Sequence, residues 1–431
     1  MTSVAPRAFA APLADRLTSA IPRQLVLLLV AAALARLAGL VGPGHTGDPT
    51  AFVDWAEGAA EHGLSGYYAE GGYSNYPPML YLLWPLGIVL DGPELVLAIR
   101  TLSIPFDLAL GVVLYDLARS LTGRPEHGLL AAAFYLFNPA VLLCGPMWGQ
   151  VDGMGALPMV GAIVAVARRR LALAGALAVI AGLVKPQFGI AAFTLAGLGL
   201  TWLRTWEGAR NVAIVGLAAL VTWIAVLVPL GLGPGSYLDL MGDTFTQYPY
   251  ISQFGFNPWG MLFGFGHDDA EWLRVGTGLA VAGVVASLWL LRYRRDLVGL
   301  LGVSVLIGLV IYYLPTRVHE RYLFGAIAFL APLAAVDPRL RRPFYALSAV
   351  FTLTLAYVLV TSPYRILPTP KLEAFPDWAI SAMSLVTTIA GAWVAWRVIG
   401  LFRGTTQLLS GATEPLAGAT GGPAALEARS G

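Results

Sequence analysis

Long apolar stretches separated by short polar connections make up most of the chain. A helix needs about 20 apolar residues to cross about 30 Å of hydrocarbon, and the sequence offers about a dozen such runs. We predict twelve crossing helices, with bounds good to a few residues, at 22–42, 94–118, 128–144, 153–167, 171–185, 188–203, 211–230, 271–291, 297–314, 321–336, 343–361 and 378–401.

The first long connection, 43–93, contains two helical patterns of another kind. Across residues 50–62 an apolar face with Phe52 and Trp55 opposes an acidic face, which is typical of a helix lying in the membrane interface. The apolar run 76–90 holds only about 14 residues, a length that favours an interfacial or re-entrant segment over a crossing. We therefore predict two juxtamembrane helices in this connection.

Arginine indicates which connections face the cytoplasm, because positive charge is retained on that side of a membrane protein. Counting 76–90 as a crossing would place Arg119 and Arg124 outside and invert every later connection. We therefore predict cytoplasmic termini, with the acidic and aromatic connections outside. The basic connections hold Arg16 and Arg23; Arg119 and Arg124; Arg168, Arg169 and Arg170; Arg204 and Arg210; Arg292, Arg294 and Arg295; Arg339, Arg341 and Arg342; Arg397 and Arg403.

Composition supports a membrane protein. Of the 431 residues 57% are hydrophobic and 12% charged, against about 25% charged in soluble domains. The predicted fold class is an all-α polytopic membrane protein with one transmembrane domain, 1–403, and a disordered cytoplasmic tail, 404–431, rich in Gly, Ala and Thr. A net charge of +2 with dispersed basic residues argues against nucleic-acid binding. The single cysteine, Cys144, excludes an intrachain disulfide.

Candidate chemistry lies in the outer connections. Asp48 immediately follows the first helix, which fixes its height at the membrane surface, and a carboxylate held there could act as general base on a hydroxyl. We interpret Glu57, Glu61 and Glu70 as solvated. The short connection 145–152 groups an indole, an amide and a carboxylate, a set suited to sugar hydroxyls.

The basic residues in the predicted outer connections indicate a site that binds an anion. Lys185 breaks a helix near the outer surface, where either snorkelling or anion binding explains it. Residues 316–322 carry Arg317, His319, Arg321 and a tyrosine, which together form a phosphate-binding set, since arginine binds phosphate through two parallel hydrogen bonds. Arginines outside the membrane run against the positive-inside rule, and this favours a functional role.

Two intramembrane charges, Arg100 and Asp107, lie on one face of a predicted helix. Their seven-residue spacing is about 10 Å along the axis, so we expect each to have a different partner and a structural role.

These residues resemble the GT-C glycosyltransferases, polytopic enzymes that take a sugar from a polyprenyl-phosphate carrier. The chain looks most similar to dolichyl-phosphate-glucose glucosyltransferases and to bacterial polyprenyl-phosphate-mannose-type enzymes. The similar motifs are Gly-Asp-x-x-Ala with Trp at 47–55, Tyr-Pro-Pro at 76–78, Arg100 with Asp107, Gly-Gln-Val-Asp at 149–152, Lys-Pro-Gln at 185–187, Asn-Pro-Trp at 257–259 and Val-His-Glu-Arg at 318–321.

The resemblance implies a GT-C-like fold whose first outer loop holds two juxtamembrane helices and a catalytic acid. That acid falls on Asp48, with Asp54 as the alternative. The resemblance also implies that basic residues bind the carrier phosphate, and these are Arg317, His319, Arg321 and Lys185. Neither a metal nor a cofactor is expected. The predicted substrate-binding residues are Glu320, Tyr322, Trp148, Gln150, Asp152, Gln187, Tyr76 and Asn257.

The predicted function is therefore an inverting hexosyltransferase of the cell membrane, with its active site on the extracytoplasmic face. Mannose or glucose would pass from a polyprenyl-phosphate donor to a glycan, glycolipid or protein acceptor. A transporter or flippase is the alternative, although a transporter should show internal repeats and substrate residues at midplane. A ligase that transfers a whole lipid-linked glycan also remains open.

Overall fold

The computed structural model describes residues 22–42, 44–45, 47–362 and 373–403. The predicted tail, 404–431, and the N-terminal residues 1–21, which we predict to be cytoplasmic, lie outside the described residues. Within the described ranges the architecture is helical, and β-pairing is limited to isolated bridges. The α-helices are α1 Arg23–Ala38, α2 Asp48–Gly66, α3 Leu80–Val89, α4 Gly92–Thr101, α5 Ser103–Thr122, α6 Pro125–Leu136, α7 Pro139–Leu142, α8 Asp152–Ala167, α9 Leu171–Val184, α10 Ile190–Trp202, α11 Trp206–Leu227, α12 Pro234–Thr246, α13 Pro258–Phe263, α14 Leu273–Trp289, α15 Leu297–Tyr313, α16 Phe324–Val336, α17 Pro338–Thr361 and α18 Asp377–Gly400.

Each predicted crossing has a helical counterpart, and two of them are broken. The second divides into α4 and α5, and the third bends by 48° between α6 and the segment Pro139–Met147. By length and composition, five helical spans of the described residues could cross a membrane, or six with the bent pair. The number of crossings therefore stays a prediction. The five spans are Gly92–Thr122, Trp206–Leu230, Leu273–Arg292, Pro338–Thr361 and Asp377–Gly400.

Side-chain caps explain several helix starts. Thr205, Asp296 and Asp337 each accept a hydrogen bond from a backbone N–H in the first turn of α11, α15 and α17. Such caps satisfy donors that the helix itself leaves unpaired. Gly123 ends α5 in the left-handed conformation with φ 73°, which glycine adopts without strain.

The buried apolar side chains form two separate clusters. The first, here called the bundle core, includes Leu114, Ile163 and Phe329 and is built mainly from α5 to α10 and α15 to α18. The second, here called the outer core, includes Trp55 and Leu83 and joins α2, α3 and α4 to the ends of α9 and α11. The two predicted juxtamembrane helices thus pack against each other, and both contribute buried side chains to the outer core.

The connection 231–270, which we predict to lie outside, contains structure that the apolar pattern did not predict. It folds into α12 and α13, and its segment around Tyr250 pairs with both Asp268 and the stretch 317–319. Asn257, a predicted substrate-binding residue, caps α13 and donates to the carbonyl of Tyr312 at 3.0 Å.

The intramembrane charges have different partners, as predicted. Asp107 accepts from Arg36 Nε at 3.1 Å and from the Tyr135 hydroxyl at 2.6 Å. Arg100 donates to the carbonyls of Pro146 and Gly42, at 3.0 and 2.8 Å for the shortest contacts. Arg100 therefore joins the segment after α1 to the segment before α8, and both of these carry candidate site residues.

Candidate functional site

Asp48 is the first residue of α2, where a proline follows it and its charge meets the positive end of the helix dipole. Its Oδ2 accepts a hydrogen bond from Trp148 Nε1 at 2.7 Å and one from Arg321 Nη1 at 3.0 Å. His45 Nδ1 lies 3.7 Å from the same oxygen. About a third of the Asp48 side chain remains exposed, so the carboxylate is held on one side and open on the other.

Trp148 reaches Asp48 because the chain turns sharply before α8. A π-helical turn, Leu143–Met147, precedes it, and Gly149 follows with φ 93°, a conformation that favours glycine. A Cβ on Gly149 would lie 2.7 Å from Cγ of Pro49, so the absence of a side chain lets this turn approach α2.

Arg321 occupies the turn between α15 and α16. Besides its hydrogen bond to Asp48, its Nη1 lies 3.4 Å from Oε1 of Glu320, and its guanidinium lies 5.0 Å from the centroid of the Trp148 ring. Arg321 therefore has one acidic partner in its own turn and another on α2.

A second group of buried polar side chains surrounds Lys185. Its ammonium donates to Gln150 Oε1 at 2.6 Å and to Asp152 Oδ2 at 3.0 Å, and it lies 5.1 Å from the centroid of the Tyr76 ring. Asp152 Oδ2 also accepts from the Cys144 thiol at 3.3 Å. The other oxygen, Oδ1, is buried without a hydrogen-bond partner among the described residues.

Charge and burial set the protonation of the groups around Asp48. Burial raises the pKa of Asp48, but the charge of Arg321, together with His45 and the Trp148 hydrogen bond, outweighs it and holds the pKa well below the usual carboxyl range. Burial lowers the pKa of His45 to about 4, and burial with Arg321 lowers that of His319 to about 3. Both imidazoles are therefore neutral near pH 7, which leaves Arg321 as the permanent cation beside Asp48.

The structure brings together Asp48, Trp148, Glu320 and Arg321, and it groups Tyr76, Gln150 and Asp152 around Lys185. His319 and Tyr322 lie beside the first group, with ring centroids 5.7 Å apart. Gln187 is half-buried in the 3-10 turn Pro186–Gly189 that follows Lys185.

Three predicted site residues lie apart from these groups. Arg317 adopts φ 61° and directs its guanidinium to Asp269, with two hydrogen bonds of 2.8 and 2.9 Å, and a third to the Phe245 carbonyl at 2.7 Å. Asp54 is exposed on α2 and lines a separate concavity. Asn257 caps α13, as described above.

Sequence reasoning missed His45, whose ring lies 4.9 Å from the Trp148 ring at a tilt of 34° and whose Nδ1 faces Asp48. The available signal was its position three residues before the candidate base, in the connection after α1. It also missed Tyr248, which packs edge-on against His319 at 5.0 Å.

The arrangement suits an acid–base reaction next to an anion. The Asp48 carboxylate is open on one side and bonded to Arg321 on the other, and Lys185 lies in the second group of buried polar side chains. Within the described ranges, no three His, Cys, Asp or Glu side chains are grouped closely enough to hold a metal ion. The expectation that no metal is needed stays a prediction.

Residues 73–315, more than half of the chain, match the family model of glycosyltransferase family 87. The matched range includes Tyr76, Trp148, Asp152 and Lys185, and ends before Arg321. No curated protein matches the chain significantly.

Three solved structures are similar to much of this chain. The oligosaccharyltransferase AglB of Archaeoglobus fulgidus, in complex with an inhibitory peptide and a dolichol-phosphate, is 14% identical at TM-score 0.46, covering 87% of this chain and 56% of its own. The arabinosyltransferase EmbB of Mycobacterium smegmatis is 16% identical, with a TM-score of 0.47. The match covers 91% of this chain and 41% of EmbB. ArnT of Cupriavidus metallidurans, bound to undecaprenyl phosphate, is 17% identical, with a TM-score of 0.44. The match covers 88% of this chain and 78% of ArnT. The chain thus spans about half the length of the first two.

Proposed function

The chain belongs to glycosyltransferase family 87, and from that premise we propose that it transfers a hexose from a polyprenyl-phosphate donor to an acceptor hydroxyl. The proposed sugar is mannose or glucose, and the proposed location is the extracytoplasmic face. The observation that carries the proposal is the Asp48 carboxylate, open on one side and bonded to Arg321 and Trp148 on the other. A base beside a phosphate-binding cation is what this reaction requires.

In the proposed reaction, Asp48 removes the proton from the acceptor hydroxyl as its oxygen attacks the anomeric carbon. The bond from that carbon to the donor phosphate oxygen breaks, and the phosphate leaves with the electron pair. Attack from the side opposite the leaving group inverts the anomeric configuration. Arg321 and Lys185 stabilise the charge that develops on the phosphate, because fixed cations in a site with little water are strong electrostatic catalysts.

The ion pair between Asp48 and Arg321 supports a specific order of events. A base whose pKa lies far below neutral is a weak one, since general bases work best near the operating pH. A donor phosphate that binds Arg321 takes this cation away from Asp48, and the pKa of the carboxyl rises. Donor binding thereby strengthens the base, while Glu320 keeps an acidic contact with Arg321.

The buried group around Lys185 is proposed to orient the donor sugar. The unpartnered Oδ1 of Asp152 can accept a hydrogen bond from a hydroxyl, and the Tyr76 ring forms an apolar wall above the ammonium of Lys185. A buried acceptor left unpaired is costly, so a ligand hydroxyl at Asp152 would add to binding.

The test is transfer by the purified protein supplied with polyprenyl-phosphate-linked mannose or glucose. We expect Asp48→Asn to lower kcat by at least about 100-fold, in line with general base catalysis, while donor binding persists. Asp239→Asn, which changes an exposed aspartate on α12, is the matched control. Full activity of Asp48→Asn would exclude Asp48 as the base. Loss of kcat in Asp54→Asn instead would identify Asp54 as the base.

The same assay separates the alternatives. A ligase would use a donor that carries a whole glycan and ignore the monosaccharide donor. A transporter or flippase would move a solute or lipid across proteoliposomes without forming a new glycosidic bond. Membership of a glycosyltransferase family favours transfer over transport.

A further inference from the structure

Arg100 lies near the end of α4, buried between two segments of the candidate site, and only 4% of its surface is exposed. Its guanidinium donates to the carbonyls of Gly39 and Gly42, which follow α1, at 3.3 and 2.8 Å. It also donates to the carbonyl of Pro146, in the π-helical turn before α8, at 3.0 and 3.2 Å. The hydrogen bonds of Arg100 therefore join the segment 39–42 to the π-helical turn.

Each of these two segments leads directly to a reactive group. Gly42 precedes Asp48 by six residues, and Pro146 precedes Trp148 by two. The indole Nε1 of Trp148 donates to Oδ2 of Asp48 at 2.7 Å, so this hydrogen bond also crosses from one segment to the other. Its length depends on the separation of the two segments, and Arg100 bonds to both of them.

Two glycines allow the chain to pack closely around Arg100. Gly44 has φ 76°, and a Cβ at this position would lie 2.8 Å from Nε and Cζ of Arg100. Gly149 has φ 93°, and a Cβ there would lie 3.2 Å from Cγ of Arg100. Both glycines are in the left-handed region, which residues with a side chain rarely adopt. The backbone on each side is therefore shaped around a different part of one arginine.

The guanidinium group suits a connection of this kind, because it is planar and carries five N–H donors in a fixed fork. The acceptors named above are neutral carbonyls, whereas the other buried arginine of this region, Arg36, forms an ion pair with Asp107. Removing a cation from water is costly when no carboxylate compensates it. An arginine in the place of Arg100 is thus better explained by the geometry that it imposes than by a gain in stability.

We propose that Arg100 is a positioning residue of the transfer reaction, which sets the separation of the segment 39–42 and the π-helical turn and so holds Trp148 at hydrogen-bond distance from Asp48. The proposal rests on the proposed function, because the effect on the rate passes through the base. A displacement of about 1 Å caused by a change away from the reacting atoms can lower a rate by about 100-fold.

The first experiment is the transfer assay on Arg100→Lys, which keeps the positive charge and removes the fork. We expect kcat to fall by about 10- to 100-fold. The acid limb of the pH profile should move to higher pH, because Asp48 loses the indole donor while it keeps Arg321 and His45. The matched control is Arg294→Lys, which changes a hydrogen-bonded arginine at the opposite end of α15 from Arg321 and should leave kcat and the acid limb as in the parent protein.

A double variant separates positioning from a general loss of stability. If Arg100 acts through the indole hydrogen bond, adding Arg100→Lys to Trp148→Phe should lower kcat by less than Arg100→Lys does alone. Effects that multiply would overturn the proposal. Gly44→Ala decides the question if Arg100→Lys does not fold, because its added Cβ meets the guanidinium. Gly44→Ala should lower kcat in the same way, and a parental kcat in this variant would also overturn the proposal.

Amide exchange tests the positioning without turnover. The N–H of Leu40 donates to a carbonyl of α1, and the N–H of Gly149 donates to a carbonyl of the π-helical turn. Exchange at both amides should be faster in Arg100→Lys and unchanged in Arg294→Lys. Parental exchange at both amides in Arg100→Lys would overturn the proposal even if the parent protein transfers sugar. Faster exchange at both amides, in a protein whose parent transfers no sugar, would refute the proposed function and leave the structural connection made by Arg100.

Discussion

Replacing Trp148 with phenylalanine isolates one hydrogen bond of the site. The indole Nε1 donates to Oδ2 of Asp48 at 2.7 Å, while the ring lies 5.0 Å from the guanidinium of Arg321. Phenylalanine keeps an aromatic ring beside Arg321 and removes the N–H donor together with the volume of one ring of the buried indole. Hydrogen bonds to charged groups contribute about 1.5–3 kcal/mol, and each 1.4 kcal/mol is a factor of about ten. Because this bond also fixes the direction of the Asp48 carboxylate, we expect the loss of positioning to outweigh the gain in basicity, and Trp148→Phe to lower kcat by about 10- to 100-fold.

The pH profile of kcat/KM gives the second readout. The Trp148 hydrogen bond helps to hold the pKa of Asp48 below the usual carboxyl range, so its loss raises that pKa. A base is active when deprotonated, and activity is lost as the pH falls through its pKa. The acid limb of the profile should therefore move to higher pH in Trp148→Phe.

The matched control is Trp259→Phe, which removes an indole hydrogen bond to the carbonyl of Leu314, 2.9 Å long and outside the Asp48 group. It should reduce stability without moving the acid limb. An unchanged kcat and an unchanged acid limb in Trp148→Phe would refute the idea that Trp148 positions Asp48. Equal effects of the two variants would show that both act through the fold.

Two further substitutions test ion pairs. Arg317→Gln leaves the buried carboxylate of Asp269 without its arginine partner, so thermal unfolding should show that the protein loses about 3 kcal/mol of stability. Arg317→Gln should raise the donor KM less than Arg321→Gln does. A larger rise in donor KM for Arg317→Gln would instead make Arg317 a phosphate ligand. Lys185→Met leaves Asp152 buried and unpaired and should cost about 3–5 kcal/mol. Adding Asp152→Leu to Lys185→Met should restore stability without restoring transfer. Recovery of transfer in this double variant would show that neither Lys185 nor Asp152 takes part in the reaction.

Much of the helical framework could be predicted because apolar length and capping residues are local signals. The crossing predicted at 297–314 is the helix Leu297–Tyr313, which begins at the Asp296 cap. The interfacial pattern at 50–62 is part of α2, and the match to glycosyltransferase family 87 confirms the enzyme class that the motifs suggested. These features depend on residues close together in the sequence.

The contacts between residues far apart in the sequence could not be predicted in the same way. Arg317 and Arg321 are four residues apart and looked equivalent, yet the left-handed turn at Arg317 sends its guanidinium to Asp269. Arg321 instead reaches Asp48, which is 273 residues away in sequence. Such long-range contacts are decided by packing, for which a single sequence gives no spacing rule. The helix α12 was also not predicted, because its amphipathic pattern is short and interrupted by glycine.

The division into a bundle core and an outer core has a mechanical consequence. Asp48 begins α2 of the outer core, whereas Trp148 belongs to the bundle core and Arg321 lies in the turn between two bundle helices. The Asp48 carboxylate is thus joined to Trp148 and Arg321 by two hydrogen bonds where the two cores meet. Directional bonds of this kind break and re-form at fixed geometry, whereas interdigitated apolar side chains resist sliding. If a bound donor bridges α2 and the bundle helices, amide exchange in α2 should slow when the donor binds.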